Sequence, residues 1–244
     1  GNWRMNERSI TILQLYPRDM NIYGDNGNVL VLKKRLEWHG FTPIVVEYNA
    51  GDPLPDGIDI VGGGGGQDSG QGKIQDDLLQ IGPTLQNLAQ AGTPMLVICG
   101  LYQLFGHFFE TQDGTRIEGI SIFDAETYGK SERLIGNIVT HSEEFGNIVG
   151  YENHSGQTFL RGDTKPLAMV KTGAGNNTLD KHEGARKYNV IGSYLHGSLL
   201  PKNPKIADWM IAEAAKRKYG EFTPRNIDDH IAKAARRIAM KRPR

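Results

Sequence analysis

The sequence predicts an α/β protein built on a mainly parallel sheet flanked by helices, with a more antiparallel β segment in the middle of the chain. Three observations predict it. Short β-rich apolar runs alternate with longer amphipathic stretches. Two of the apolar runs end on a reactive side chain followed by glycine, Cys99-Gly100 and His196-Gly197. Between residues 117 and 150 the texture changes to short alternating segments separated by turn residues.

Residues 10–15 read as the first strand. An amphipathic helix follows over 28–39, with Val29, Leu32 and Leu36 on one face and Gly40 as its C-terminal cap. Strands are expected at 44–47 and 58–61, after which the glycines Gly62 to Gly66 interrupt the chain. Residues 71–91 read as a helix that Gly82-Pro83 is expected to divide. The apolar strand 95–98 delivers Cys99, and a further helix is expected over 101–109. In the middle region, segments 120–123, 137–139 and 147–149 suggest antiparallel strands or an insertion on the sheet. A late core strand over 190–195 ends at His196, and residues 207–219 are helical. A final helix over 226–240 would carry Ile227, Ile231, Ala234, Ala235 and Ile238 on one face. Residues 1–8 are expected to be a disordered or expression-derived start, 9–220 one domain, and 221–244 a basic helical extension.

With 244 residues the chain can bury one sizeable core. Its formal charge is zero, so it is not as a whole a binder of nucleic acid or other polyanions. A single cysteine excludes an internal disulfide. No stretch reaches the roughly 18 apolar residues that span a bilayer, and the first residues lack the apolar core of a signal peptide. The expectation is a cytoplasmic protein. Charge is unevenly placed, however. From Lys216 to Arg244 ten basic residues face three acidic ones, a local net charge of +7. A solvated end is one reading of that tail. The other is docking, with the apolar face on the body or a partner and the basic face on an acidic partner or, as a peripheral contact, on the inner face of the membrane.

The glycine run fits no nucleotide motif. GxGxxG needs a glycine where Gln67, Asp68 or Ser69 stands, and around Gly72-Lys73 the P-loop pattern fails at Gln67 and Ile74. Glycines at the end of a strand do let backbone amides approach a substrate closely, at the edge where open α/β sheets bind ligands. A substrate or oxyanion cradle is therefore expected there. Cys99 sits between an apolar strand and an apparent helix, a turn that projects a nucleophile above the sheet and sets the next amide to stabilise an oxyanion. A buried, inert cysteine is the bland alternative. His196 tips the balance, because it too ends a strand and could meet Cys99 at one sheet edge as its base. His154 is its rival. Neither CxxC nor HExxH spacing occurs, so no metal is expected.

These residues resemble the class I glutamine amidotransferases, in the cobyric-acid-synthase-like branch with its Cys-Gly-x-Tyr-Gln elbow, here Cys99 to Gln103. The further motifs lie at residues 21–28, 64–68, 133–136, 145–154, 194–197 and 200–203, and within the branch they look most like the glutaminase subunits that serve lipid II amidation. The resemblance implies that Cys99 attacks the glutamine carboxamide with help from His196. It implies an oxyanion site from Gly64, Gly65 and Gly100, and substrate contacts from Arg133, Gln103, Tyr102, Asn153 and His154. It also implies a heterodimer. A Mur-ligase-like synthetase partner would carry ATP and magnesium, this chain holding no cofactor, and ammonia would convert the D-glutamate of lipid II to D-isoglutamine.

Two departures stand out. Ser198 occupies the place of the usual triad acid, leaving Asp25, Glu152 or a partner carboxylate to orient the histidine. Leu101 stands where relatives carry a second glycine and is expected to reshape the elbow or line the pocket. A cobyrinate-type amidotransferase component and a catalytically silent scaffold are the competing readings. The matched motifs end near residue 220, and truncation after Gly220 is expected to spare glutamine hydrolysis but to weaken either partner binding or association with anionic vesicles.

Overall fold

The computed structural model describes residues 8–21, 26–66, 68–226 and 228–244. In chain order the elements are β1 (Ser9–Leu15), α1 (Asn26–Trp38), β2 (Thr42–Tyr48), β3 (Ile60–Gly63), α2 (Asp68–Gln90), β4 (Met95–Ile98) and α3 (Gly100–Leu104). Then come β5 (Phe108–Glu110), β6 (Arg116–Glu118), β7 (Ala125–Ser142), β8 (Gly146–Leu160), β9 (Ala168–Thr172), β10 (His182–Glu183), β11 (Ala185–Lys187) and β12 (Val190–Ser193). The chain closes with α4 (Leu199–Lys202), α5 (Pro204–Tyr219) and α6 (His230–Lys241).

The first sheet runs β11-β12-β4-β3-β1-β2. All its pairings are parallel except that of the edge strand β11. Strands β1, β4 and β12 are almost wholly buried, as a sheet covered on both faces requires. The predicted cap of α1 is present in full. Gly40 adopts φ 90°, its amide donates to Glu37, and the Phe41 amide reaches back to Leu36, a paired closure that satisfies the last carbonyls. Leu32 and Leu36 are buried beneath it.

The middle of the chain departs from expectation in scale. Instead of several short strands, β7 and β8 form one long antiparallel hairpin, the spine of a second sheet ordered β10-β9-β7-β5-β6. Its many polar and glycine positions hid the continuity, since cross-strand pairing rather than apolar alternation sustains it. The helix expected over 101–109 is also cut short. A methyl group on Gly106 would stand 2.7 Å from the Ala125 carbonyl. That close approach turns the chain out of α3, and the aromatic pair Phe108-Phe109 then extends to pair with β7. Conversely, α2 is not divided, running through Pro83 unbroken. Gly82 there leaves room for Ile120, which a methyl group would meet at 2.9 Å.

The apolar face of the final helix is not packed on the body, which agrees with the solvated reading and leaves a partner contact open. Ile231 and Ile238 are 83% and 56% exposed, and the residue buried is Ala239. Ile227 lies outside the described residues. Among the described residues no helix is long and apolar enough to cross a membrane.

Candidate active site

Strands β12, β4 and β3 are neighbours in the parallel sheet, so the segments leaving their C-terminal ends meet at one edge. Register makes the meeting close. Ser193 pairs with Ile98, Gly63 pairs with Val97, and the Cys99 amide donates to the Ser193 carbonyl at 2.8 Å. Cys99 therefore leaves β4 beside the segment that reaches His196 three residues later.

Cys99 has φ 50° and ψ −106°, outside the regions that L-residues favour. Strain of this kind persists only where the surroundings enforce it. Here the surroundings are the glycine loop. A methyl group on Gly65 would fall 2.9 Å from Cys99 Cβ, 3.1 Å from His196 Cε1 and 3.6 Å from Cys99 Sγ. Thiol and imidazole thus both face one point over Gly65, and any side chain there would fill the space between them. Gly66 and Gly100 are similarly constrained. A methyl on Gly100 would meet Met20 Cε at 2.6 Å and the Gly66 amide nitrogen at 3.3 Å, and one on Gly66 would meet the Asp19 carbonyl at 2.5 Å. Met20, absent from the sequence-based expectations, plugs the gap between loop and elbow and is 1% exposed. Gly64, also in the loop, is buried.

His196 is fixed through its backbone. Its amide donates to the Tyr151 carbonyl at 2.6 Å in a bridge that ties it to β8. Tyr151 and Asn153 share one face of β8, two residues or roughly 7 Å apart along the strand. Asn153 Oδ1 accepts from Arg133 Nη1 at 2.8 Å. Arg133 is exposed and lies in the irregular stretch of β7 between Gly129 and Leu134, where the register shifts. A bulge of this kind re-aims side chains. Arg133, Asn153 and Tyr151 consequently form one wall that runs up to His196.

Other expected site residues lie elsewhere. Tyr102 and Gln103 are 1% and 4% exposed and face the core from α3. Tyr102 donates to Asn176 Oδ1 at 2.9 Å and Gln103 Nε2 donates to the Tyr194 hydroxyl at 3.0 Å, so both pin the elbow from below. Leu101, expected to reshape the elbow or line the pocket, is fully buried, with its Cδ1 packed against Gly63 beneath the elbow. His154 stacks on Tyr194 with ring centroids 3.8 Å apart. Its Nδ1 faces the Gly156 carbonyl at 2.8 Å and its Nε2 faces Glu152 at 3.1 Å. Both ring nitrogens are thus engaged within the core, at a backbone carbonyl and at Glu152, which speaks against His154 as the rival base.

Glu152 fails as the orienting acid for a related reason. One oxygen accepts from His154 and the Gly175 amide, the other from the Ala174 amide at 2.8 Å and from Arg244 at 2.6 Å. Both oxygens are saturated. Burial opposes its ionised form, yet the bonds from His154 and the amides of Ala174 and Gly175 prevail and hold its carboxyl below the usual range. Asp25, the other named acid, lies outside the described residues. Ser198 packs on Gly27.

A second buried acid escaped sequence reading. Glu183, fully buried, accepts from the Tyr194 amide at 2.7 Å and from the Ser193 hydroxyl at 3.2 Å, bracing the turn that leads to His196. Burial pushes its carboxyl up to about 8 against those bonds. Nothing in its local sequence announces this, since its partners lie ten and eleven positions away. No cluster of three or more metal-ligating side chains occurs among the described residues.

The chain is similar to known proteins along most of its length. The model of the CobB/CobQ-like glutamine amidotransferase domain matches residues 11–204. Subunit GatD of the glutamine-hydrolyzing lipid II isoglutaminyl synthase of Staphylococcus aureus is 39% identical, over 96% of this chain and 96% of its own. The Streptococcus pneumoniae subunit of the same name is 40% identical over 87% of this chain and 83% of its own. Among solved structures, a glutamine amidotransferase from Thermotoga maritima superposes with a TM-score of 0.55 at 13% identity, covering 94% of this chain and 93% of that one, a likeness of fold.

Proposed function

Since the chain belongs to the CobB/CobQ-like glutamine amidotransferase family, we propose that it is the glutaminase subunit of a lipid II isoglutaminyl synthase. In this reading it hydrolyses L-glutamine to glutamate and passes the ammonia to a Mur-ligase-like partner. That partner binds ATP and magnesium and amidates the D-glutamate of lipid II to D-isoglutamine. Likeness to the staphylococcal subunit along nearly the whole of both chains supports this assignment over a component of a larger synthetase.

The observation that carries the chemistry is the meeting of Cys99 Sγ and His196 Cε1 over Gly65. His196 takes the thiol proton as Sγ attacks the carboxamide carbon, and the S–C bond forms. The developing oxyanion is met by the Gly100 amide and by amides of the Gly64-Gly65 loop. The C–N bond then breaks, with the proton on His196 going to the departing nitrogen, and ammonia leaves. Water, deprotonated by His196, hydrolyses the γ-glutamyl thioester and returns the thiol. Arg133, braced by Asn153, takes the α-carboxylate of glutamine, for which a guanidinium fork is suited. Tyr102 and Gln103 support the elbow from beneath. The acid that orients His196 is Asp25 or a carboxylate of the partner.

The experiment is isotopic. The chain, its co-purifying synthetase, ATP, lipid II and glutamine labelled with ¹⁵N in the amide are combined, and the product peptide is analysed by mass spectrometry. Label in the isoglutamine amide supports the reading. Label released to solution with no transfer, in the presence of an active partner, contradicts it.

A further inference from the structure

The basic tail is fastened to the body at both of its ends. At its start, Asp229 pairs with Arg35 on α1 at 2.7 Å, and Arg35 also holds Asp208 on α5 at 2.6 Å. The indole of Trp38 donates to the Asn226 carbonyl at 3.0 Å. At the far end the chain leaves α6 and lies along β7. Asn137 Nδ2 donates to the Pro243 carbonyl at 3.1 Å, and Arg244 Nη1 returns a bond to the Asn137 carbonyl at 3.0 Å. The same guanidinium nitrogen sits 2.6 Å from Glu152 Oε2, and that carboxylate is wholly buried.

The seat of Arg244 is shaped for it. A methyl on Gly136 would stand 2.9 Å from Arg244 Cγ, and one on Gly173 would stand 2.7 Å from its Nη1. Both glycines hold positive φ, 138° and 117°, where side chains are disfavoured. A buried carboxylate with its partner removed is a costly group, so its strand must shift or let water in. That strand is the one carrying the proposed substrate wall. Glu152 stands between Tyr151, which bridges to His196, and Asn153, which braces Arg133. On the same buried face, His154 links Glu152 to the ring of Tyr194.

We infer that Arg244 is a positioning residue for the glutamine site, acting through Glu152 on the segment from Tyr151 to Asn153. The tail is then a working part of the glutaminase unit. This inference rests on the glutaminase reading and reverses the expectation that truncation after Gly220 spares hydrolysis.

The test is steady-state hydrolysis by the full chain with Arg244→Ala, Arg244→Lys, Glu152→Gln and the double variant Arg244→Ala/Glu152→Gln. Alongside it, hydrogen exchange is followed at the Ala174 and Gly175 amides, which donate to Glu152. Arg244→Ala should raise KM for glutamine about fivefold while kcat stays within about twofold, the signature of impaired ground-state positioning. Arg244→Lys should recover at least half of that loss. In the Glu152→Gln background the same alanine change should add less than about twofold, because the two residues act as one unit. Exchange at residues 174 and 175 should quicken in Arg244→Ala. An unchanged KM in Arg244→Ala overturns the inference whether or not exchange quickens, and so does an undiminished effect in the Glu152→Gln background. If Glu152→Gln does not fold, the lysine rescue decides, and failure of the rescue overturns the inference. Should the wild type itself release no ammonia, the glutaminase reading fails instead, and quickened exchange would still place Arg244 on Glu152.

Discussion

Leu101 lies with its Cδ1 in the space that a β-carbon at residue 63 would need, so the bulkier elbow residue and the bare Gly63 form a matched pair across β3 and α3. Gly63→Ala should therefore cost about 1–3 kcal/mol of stability through overpacking. A Leu101→Gly change in the same chain should return part of that loss. Urea midpoints of the two single variants and the double variant check the coupling, and strict additivity would contradict it.

His196→Ala should lower kcat for glutamine hydrolysis by about 10²- to 10⁴-fold, the usual contribution of a positioned base. His154→Gln should instead reduce stability, because both of its ring nitrogens face acceptors in the core. Initial rates and thermal midpoints, measured on both variants, separate the two roles. A His154 variant that folds normally but is inactive would reverse the assignment.

Arg133→Ala and Asn153→Ala should both act on KM for glutamine more than on kcat, with the arginine change the larger. The bond of 2.8 Å between the two side chains is why their effects should not add. Saturation curves for the single and double variants check this, and an unchanged KM in Arg133→Ala would remove the proposed carboxylate site.

How much of this was legible in the sequence differs from residue to residue. Cys99 and His196 could be read because each ends an apolar strand, a local pattern that needs no distant partner. The Gly62 to Gly66 run was legible as a close-approach loop for the same reason. Glu152 and Glu183 were not legible in role, since what defines them is donors reached across the sheets: Ala174, Gly175 and Arg244 for one, Ser193 and Tyr194 for the other. In α6 the period of Ile231 and Ile238 was read correctly as amphipathic. Its orientation was left open between a solvated and a docked end, and the ion pair of Asp229 with Arg35 and the seat of Arg244 turn Ala239 inward and the isoleucines outward.

Glu183 makes a prediction about pH. Its carboxyl is raised to about 8 in the folded protein. Below the ordinary carboxylate range both states bind the proton and nothing is lost. As pH rises from there towards 8, the unfolded chain releases its proton while the folded chain keeps it, so this group lowers stability progressively and then levels off. Glu152, held below the usual range, acts oppositely: the stability it contributes is present above that range and lost as pH falls through its folded value. Glu183→Gln should flatten the decline between pH 5 and 8 and stabilise the protein at pH 8 by up to about 4 kcal/mol. Urea midpoints across that pH range, on wild type and variant, provide the check, and parallel curves would contradict it.

The most direct measurement is ammonia release from L-glutamine by wild type and by Cys99→Ala, with the fold of each verified by circular dichroism. The predicted result is steady turnover by wild type and none by the variant, because the only thiol in the chain is gone and the thioester cannot form. Turnover by a folded Cys99→Ala at a rate comparable with wild type would contradict the account.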